Sequence, residues 1–125
     1  MALTGKRALV VDDDVMVRWI IVEELEEAGC KVVEAADGME GLRALEAQGP
    51  FDIMLTDIRM PNLDGWALAE RARAVLPTMP ILYVSGYSDC ESRPVPNSGI
   101  LTKPFRPAQL VQAVAQALPG AAPAR

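Results

Sequence analysis

The 125-residue chain contains no histidine, which removes imidazole as a general base, as a metal ligand and as a phosphate carrier on this polypeptide. Cysteine is scarce. Cys30 and Cys90 lie far apart and match no metal-ligand spacing, so they read as packing or idle thiols rather than a disulfide framework. Basic runs are missing too: 12 Lys and Arg are scattered among 17 Asp and Glu, for a net charge of -5, and that balance offers no electrostatic footprint for nucleic acid. No apolar run approaches the length of a membrane span, and Met1 to Arg7 leads directly into a strand pattern. The expectation is a soluble, cytoplasmic protein without membrane contact. No repeat or linker interrupts the chain, and 50% of its residues are apolar, enough for one continuous core. One domain over 1–118 is expected, with a small, Pro/Ala-rich tail, 119–125, that frays.

What is present is organised around Asp52 to Gly65. Ile53 to Thr56 is short enough for a buried strand, Asp57 ends it, and a turn with Pro61 and Gly65 hands the chain to a helix. An isolated acid at a strand end ordinarily does no more than start a turn. This one has company. Ala8 to Val11 is a second apolar run, followed by Asp12, Asp13 and Asp14, with Asp14 suited to cap a helix over Val15 to Ala28 that Gly29 closes. At 100° steps Val17, Ile20, Ile21, Leu25 and Ala28 share that helix's inner face, and Trp19, with Val15 and Val22, falls opposite. A strand over Lys31 to Ala35, helices over Gly38 to Gln48 and Trp66 to Val75, and a strand over Ile81 to Val84 ending at Ser85 follow. Breakers at Pro94, Pro96, Asn97 and Gly99 predict a loop from Tyr87 to Ile100 with at most one helical turn. Ile100 to Thr102 makes a last strand before Lys103-Pro104-Phe105, and Pro107 opens a last helix reaching Leu118. Strands alternating with helices imply a parallel sheet with helices on both faces.

Ligands in open α/β sheets bind beyond the carboxyl ends of the strands. Four such ends carry Asp12 and Asp13, Asp57, Ser85 and Lys103. Crowded carboxylates repel one another, and a hard cation with oxygen ligands relieves this; Mg²⁺ suits a few carboxylates plus water and phosphate oxygens. With an ammonium and a hydroxyl added, the set suits in-line transfer of a phosphoryl group to Asp57, whose carboxylate can act as nucleophile.

Leu9-Val10-Val11-Asp12-Asp13, then Asp57 with Met60-Pro61 and Asp64-Gly65, then Ser85, then Lys103-Pro104-Phe105 resemble the receiver domain of two-component response regulators, from about Arg7 to Leu118. The resemblance implies a flavodoxin-like, doubly wound five-stranded parallel sheet of order 2-1-3-4-5. It implies that Asp57 accepts phosphate from a histidine of a sensor kinase or phosphotransfer protein. Asp13, Asp57 and the backbone carbonyl of Arg59 would bind Mg²⁺, with Asp12 helping through water, while Lys103 and an inward Ser85 contact the phosphoryl group. It further implies a cis Lys103-Pro104 bond. Such a module assists its own phosphorylation and dephosphorylation and is not a multi-turnover enzyme.

Two places depart from the family pattern. The segment from Ser88 to Ser98 is too short and broken for the family's fourth helix, which is expected to be short or absent. Ile100 stands where many members carry a switching aromatic. Ser85-Gly86-Tyr87 with a degenerate fourth helix resembles a Gly-Tyr subgroup of single-domain receivers. In this chain phosphate and Mg²⁺ are expected to order Ser88 to Ser98, a loop-to-order switch in place of a helix shift, and Arg59 and Tyr87, flanking the site, to screen attacking water. The outward Trp19 surface suits a partner's helix. The last helix, whose outer side with Gln109, Gln112, Ala113, Gln116 and Ala117 carries no charge, suits a partner or self-association. With no effector region after Leu118, output is expected through protein contact, phosphorelay or a domain elsewhere. Two alternatives stay open. One is a phosphatase of the haloacid-dehalogenase type with Asp12 as nucleophile, although Asp and Glu are absent from Ser92 onward. The other is a receiver-like module that signals without phosphate.

Overall fold

The computed structural model describes residues 3–86 and 93–119. Their elements follow in the order β1 (Arg7–Val11), α1 (Val15–Glu27), β2 (Lys31–Ala35), α2 (Gly38–Gln48), β3 (Ile53–Thr56), α3 (Gly65–Val75), β4 (Ile81–Ser85), β5 (Ser98–Thr102) and α4 (Pro107–Ala117). All strand pairs are parallel, in the order β2-β1-β3-β4-β5. This is the flavodoxin-like topology expected from the resemblance.

Alternation along the strands divides the interior into two layers. Leu9, Val11, Met54, Ile81 and Tyr83 point toward α2 and α3, where Leu45, Trp66, Leu68 and Ala72 meet them. Ala8, Val10, Ile53, Leu55, Leu82 and Val84 point toward α1 and α4, against Ile21, Leu25, Leu110 and Val114. Both faces of the central strands are therefore apolar, as buried parallel strands require. Three helices begin at aspartates whose side chains accept backbone N–H groups: Asp14, Asp37 and Asp64. α4 instead begins with Pro107, and the Gln109 side chain accepts the Arg106 N–H at 2.7 Å.

Helix α1 is rotated relative to the expectation. Val22 is buried and Ile20 is 40% exposed, the reverse of their predicted faces. One turn of α1 is apolar on both sides, so periodicity leaves its rotation open, and packing against β2 and α4 decides it. Val15, Met16 and Trp19 do face outward. On α4, Gln109, Gln112 and Gln116 are exposed, but Ala113 and Ala117 are half-buried against the α1/α4 layer rather than on the outer side.

β5 starts at Ser98, inside the predicted loop, because Ser98 and Gly99 pair with Ile81 and Leu82 of β4. Ahead of it, 93–97 contains no helix. The Val95 N–H donates to the buried Tyr83 hydroxyl at 3.2 Å. Arg73 donates to the carbonyls of Pro96 and Asn97 at 2.6 and 3.0 Å. The expectations placed on Tyr87, on Cys90, on most of the Ser88 to Ser98 segment and on the tail beyond Pro119 fall outside the described residues. Cys30 is buried, as a packing thiol would be. No helix among the described residues is long and apolar enough to cross a membrane.

Two glycines set the spacing around the β3–α3 loop. A Cβ on Gly65 would meet the Asp57 carbonyl oxygen at 2.1 Å, and one on Gly38 would meet the Leu63 carbonyl oxygen at 2.3 Å. Among the described residues, a Cβ on Gly86, at the neighbouring strand end, would meet only the Lys103 Cβ, at 3.8 Å. Gly65→Ala is expected to lower stability by about 2 kcal/mol through overpacking against rigid backbone, and Gly86→Ala to change it by less than about 0.5 kcal/mol. Urea unfolding of the two variants measures the contrast; equal midpoints would remove the close-approach argument.

Candidate functional site

The carboxyl ends of β1 and β3 lie side by side. Val11 pairs with Thr56, and the Asp57 N–H donates to the Val11 carbonyl at 3.0 Å, which sets Asp12 and Asp57 next to each other. Asp12 is 1% exposed and held on every side. Its N–H donates to the Ala35 carbonyl at 3.2 Å, and its Oδ1 accepts the Asp14 N–H at 2.9 Å. Its own carbonyl accepts from the Arg18 guanidinium at 2.7 Å. On β3, the Thr56 hydroxyl donates to the Asp57 carbonyl at 2.8 Å, and Asp57 Oδ1 accepts the Ile58 N–H at 2.7 Å. The loop then folds back tightly, with the Gly65 N–H on the Ile58 carbonyl at 2.7 Å and Asn62 in the left-handed region at φ 70°. Asp64 caps α3 through the Ala67 N–H at 2.9 Å.

From the other side β5 delivers the ammonium. The Lys103 N–H donates to the Ser85 carbonyl at 2.8 Å, which joins the ends of β4 and β5, and Ser85 is buried there. The Lys103-Pro104 bond is cis. Lys103 Nζ lies 3.2 Å from Asp12 Oδ2 and 3.4 Å from Asp57 Oδ2. One carboxylate oxygen from each of Asp12, Asp13 and Asp57 lies within 4.8 Å of the others, with Asp12 buried, Asp13 exposed and Asp57 between. Arg59 lines the cleft beside them, with Asp13, Met60, Pro61 and Asp64. The sequence-derived residues thus all converge on one edge of the sheet.

Electrostatics follow from this crowding. Burial raises the Asp12 carboxyl above its ordinary 3.8, opposed by the Asp14 N–H and the Lys103 ammonium. Burial pulls Lys103 down, but the Asp12 and Asp57 carboxylates together outweigh it and hold the ammonium above its ordinary 10.5. Three carboxyl groups gathered around the Lys103 ammonium present hard oxygen donors, which suit a divalent cation and, beside it, a phosphoryl group. Sequence reasoning missed Thr56 and Arg18. Thr56 ends an apolar strand and passes as a strand residue; Arg18 follows Asp14 by one helical turn and passes as one of the scattered charges.

With this geometry in place, the comparison with known proteins is decisive: the model of the response regulator receiver domain matches residues 8–115. The chain belongs to the response regulator receiver family. This receiver is 34% identical over 117 residues to the response regulator receiver protein CpdR of Brucella abortus, covering 90% of this chain and 97% of CpdR. Its fold matches the crystal structure of a response regulator receiver protein from Sinorhizobium medicae WSM419 with a TM-score of 0.87 at 36% identity, over 96% of this chain and 99% of the other. The receiver domain of the sensor histidine kinase PA1611 from Pseudomonas aeruginosa PAO1 matches with a TM-score of 0.80 at 27% identity, over 92% of this chain and 98% of that one; its structure has a magnesium ion coordinated in the active-site cleft. Larger relatives are matched in part only, the DNA-binding transcriptional regulator NtrC of Escherichia coli over 18% of its length. The receiver thus takes its place in two-component signalling.

Removing the ammonium tests the charge balance in metal-free receiver. Lys103→Met leaves buried Asp12 facing Asp57, and a loss of about 2 kcal/mol is expected at neutral pH. The folded Asp12 carboxyl keeps its proton to higher pH than the unfolded one, so its ionisation disfavours folding, an effect absent below the unfolded value and growing as pH rises toward the folded one. In the variant the folded value climbs further, and the deficit should be smaller at mildly acidic pH than at neutral pH. Urea unfolding in EDTA at both pH values reads this. A deficit that does not move with pH would assign the loss to the lysine stem's packing.

Proposed function

We propose that this receiver takes a phosphoryl group from a phosphohistidine of a sensor kinase or histidine phosphotransfer protein onto Asp57, with Mg²⁺ as cofactor, and signals by protein–protein contact from the cytoplasm. The observation that carries it is the Lys103 ammonium within 3.4 Å of carboxylate oxygens of both Asp12 and Asp57, in a cluster whose third member, Asp13, is open to solvent.

The donor set fits the metal: three carboxylates with oxygens within 4.8 Å of one another are hard ligands of the kind Mg²⁺ takes. Asp13, Asp57 and the Arg59 carbonyl would hold it, with Asp12 assisting through water. When bound, the cation offsets the negative charge of the acids and of the incoming phosphoryl oxygens. The magnesium ion in the active-site cleft of the PA1611 receiver supports Mg²⁺ as the cation taken here.

The chain's own groups do the rest. A carboxylate oxygen of Asp57 attacks phosphorus, the O–P bond forms as the N–P bond of the donor imidazole breaks, and the leaving nitrogen keeps the electron pair. Lys103, tied to the same acids, moves its positive charge onto a phosphoryl oxygen as those acids are engaged, and Ser85 presents a hydroxyl to another. Water later attacks phosphorus, the Asp57 O–P bond breaks, and inorganic phosphate leaves with the Asp57 carboxylate restored. The phosphoryl group ends on the receiver's own Asp57 and not on an external substrate, so the receiver acts as a phosphoacceptor that assists its own phosphorylation and dephosphorylation and not as a multi-turnover enzyme on external substrates, and neither nucleic acid nor membrane enters the scheme. The phosphatase reading is disfavoured: the Asp12 carboxylate is buried and bonded by Asp14 and Lys103, and Asp14 is committed to capping α1 through Met16 and Val17.

Mass spectrometry after incubation with acetyl phosphate and Mg²⁺ checks the acceptor. Wild type is expected to gain one phosphoryl group and Asp57→Asn none; label retained in the variant would move the acceptor elsewhere, and none in wild type would favour a phosphate-independent module.

Donor docking is assigned to the first half of α1. Val15, Met16 and Trp19 are 65%, 65% and 57% exposed there, and an apolar groove lined by Val17, Ile20, Pro104 and Phe105 adjoins them next to Lys103. An exposed tryptophan beside an apolar groove is the kind of anchor that dominates interfaces. Trp19→Ala should slow transfer from a phosphorylated partner on the order of tenfold and leave labelling by acetyl phosphate unchanged; equal slowing with both donors would place the defect in the site itself.

A further inference from the structure

Asp13 differs from its neighbours in how it is held. The carboxylate of Asp12 is fixed by the Asp14 N–H and Lys103, and that of Asp57 by the Ile58 N–H and Lys103. Among the described residues nothing comparable grips the Asp13 carboxylate, and the residue is exposed. What the fold fixes is the place from which that carboxylate reaches the site, the Asp13 Cα and Cβ, set by the backbone that carries them. That backbone begins with the Asp12–Asp13 peptide, a rigid plane in which the Asp12 carbonyl and the Asp13 nitrogen turn together.

Arg18 holds that plane. Its guanidinium donates through Nη1 to the Asp12 carbonyl at 2.7 Å and through Nε to Glu34 Oε1 at 3.1 Å. The arginine side chain is 16% exposed. A planar fork with one arm on β2 and another on the loop after β1 resists rotation of the peptide in a way that a single-point donor does not. The preceding peptide is already tied, since the Asp12 N–H donates to the Ala35 carbonyl at the end of β2. The Arg18–Glu34 pair and the Asp12–Ala35 bond thus brace the loop from the same strand.

We infer that Arg18, steadied by Glu34, is a positioning residue for the cation site: by fixing the Asp12–Asp13 peptide it aims the Asp13 carboxylate at the metal. This rests on the proposed Mg²⁺ site. Residues that orient ligands without touching the ion typically change metal affinity 10- to 100-fold when removed. Electrostatics alone pushes the other way, because deleting a positive charge beside three carboxylates makes the cluster more attractive to a cation. The sign of the change therefore separates aiming from charge.

Magnesium chloride titrated calorimetrically into metal-free protein gives the readout, independent of phosphorylation. Arg18→Met is expected to weaken binding about tenfold, and Arg18→Lys, which keeps the charge and one donor, to recover part of the loss. Glu34→Gln should weaken binding about threefold by loosening the fork. Added to Arg18→Met it should cause no further loss, because Glu34 acts through Arg18, whereas independent charge effects would add. Unchanged or tighter binding in Arg18→Met, or lower metal-free stability with the same Mg²⁺ affinity, overturns the inference. If Arg18→Met does not fold, Glu34→Gln and Arg18→Lys decide it, since wild-type affinity in both would be equally fatal. Failure of the wild type to bind Mg²⁺ would instead sink the cation site proposed above.

Discussion

Three carboxylates share one edge of the sheet, and a single ammonium lies between two of them. Asp12 and Asp57 would each be better solvated apart, and their closeness is tolerable because Lys103 reaches both from the far side of the sheet. Asp13 adds a third carboxylate at the mouth. Hard oxygens gathered this closely suit a divalent cation. The proposed function is the use of that donor set.

Holding like charges together requires a stiff frame, and the frame here is mostly backbone. β1 and β3 pair up to Val11 and Thr56, and the Asp57 N–H extends the ladder by one bond. Gly65 lets the next helix start against the Asp57 carbonyl, closer than any Cβ would permit. Thr56 and Arg18 hold the carbonyls of Asp57 and Asp12. With the Asp12 and Asp57 carboxylates also accepting the Asp14 and Ile58 N–H groups, these two acids cannot relieve their repulsion by turning away without breaking hydrogen bonds.

The opposite part of the molecule is built differently. Between β4 and β5 the described residues have no helix, and 93–97 is secured by Arg73 on its carbonyls and by Val95 against Tyr83. Ile100, paired with Tyr83 on the edge strand, remains 53% exposed. Lys103 itself continues β5, with its N–H on the Ser85 carbonyl, so the ammonium of the site and the edge strand share one stretch of backbone.

Alternating apolar runs and breakers made the five strands, four helices and parallel class legible in the chain itself, because a 2-residue or 3.6-residue period says which faces must leave water. The strand-ending acids, Ser85 and Lys103 were legible for the same reason: a parallel sheet gathers its carboxyl ends whatever the loops do. Less was readable where two arrangements satisfy the same pattern. The rotation of α1, which buries Val22 and exposes Ile20, was decided by contact with β2 and α4, and the early start of β5 at Ser98 by pairing with Ile81, which outweighed local breakers. Arg18 was beyond reach for a deeper reason. Its role depends on a carbonyl and a glutamate brought together by β1–β2 pairing, and one residue's spacing along the chain carries no trace of which backbone oxygen it will find. Periodicity and strand-end chemistry were thus properties of the sequence, whereas the distances that turn repelling acids into a site belong to the packed sheet alone.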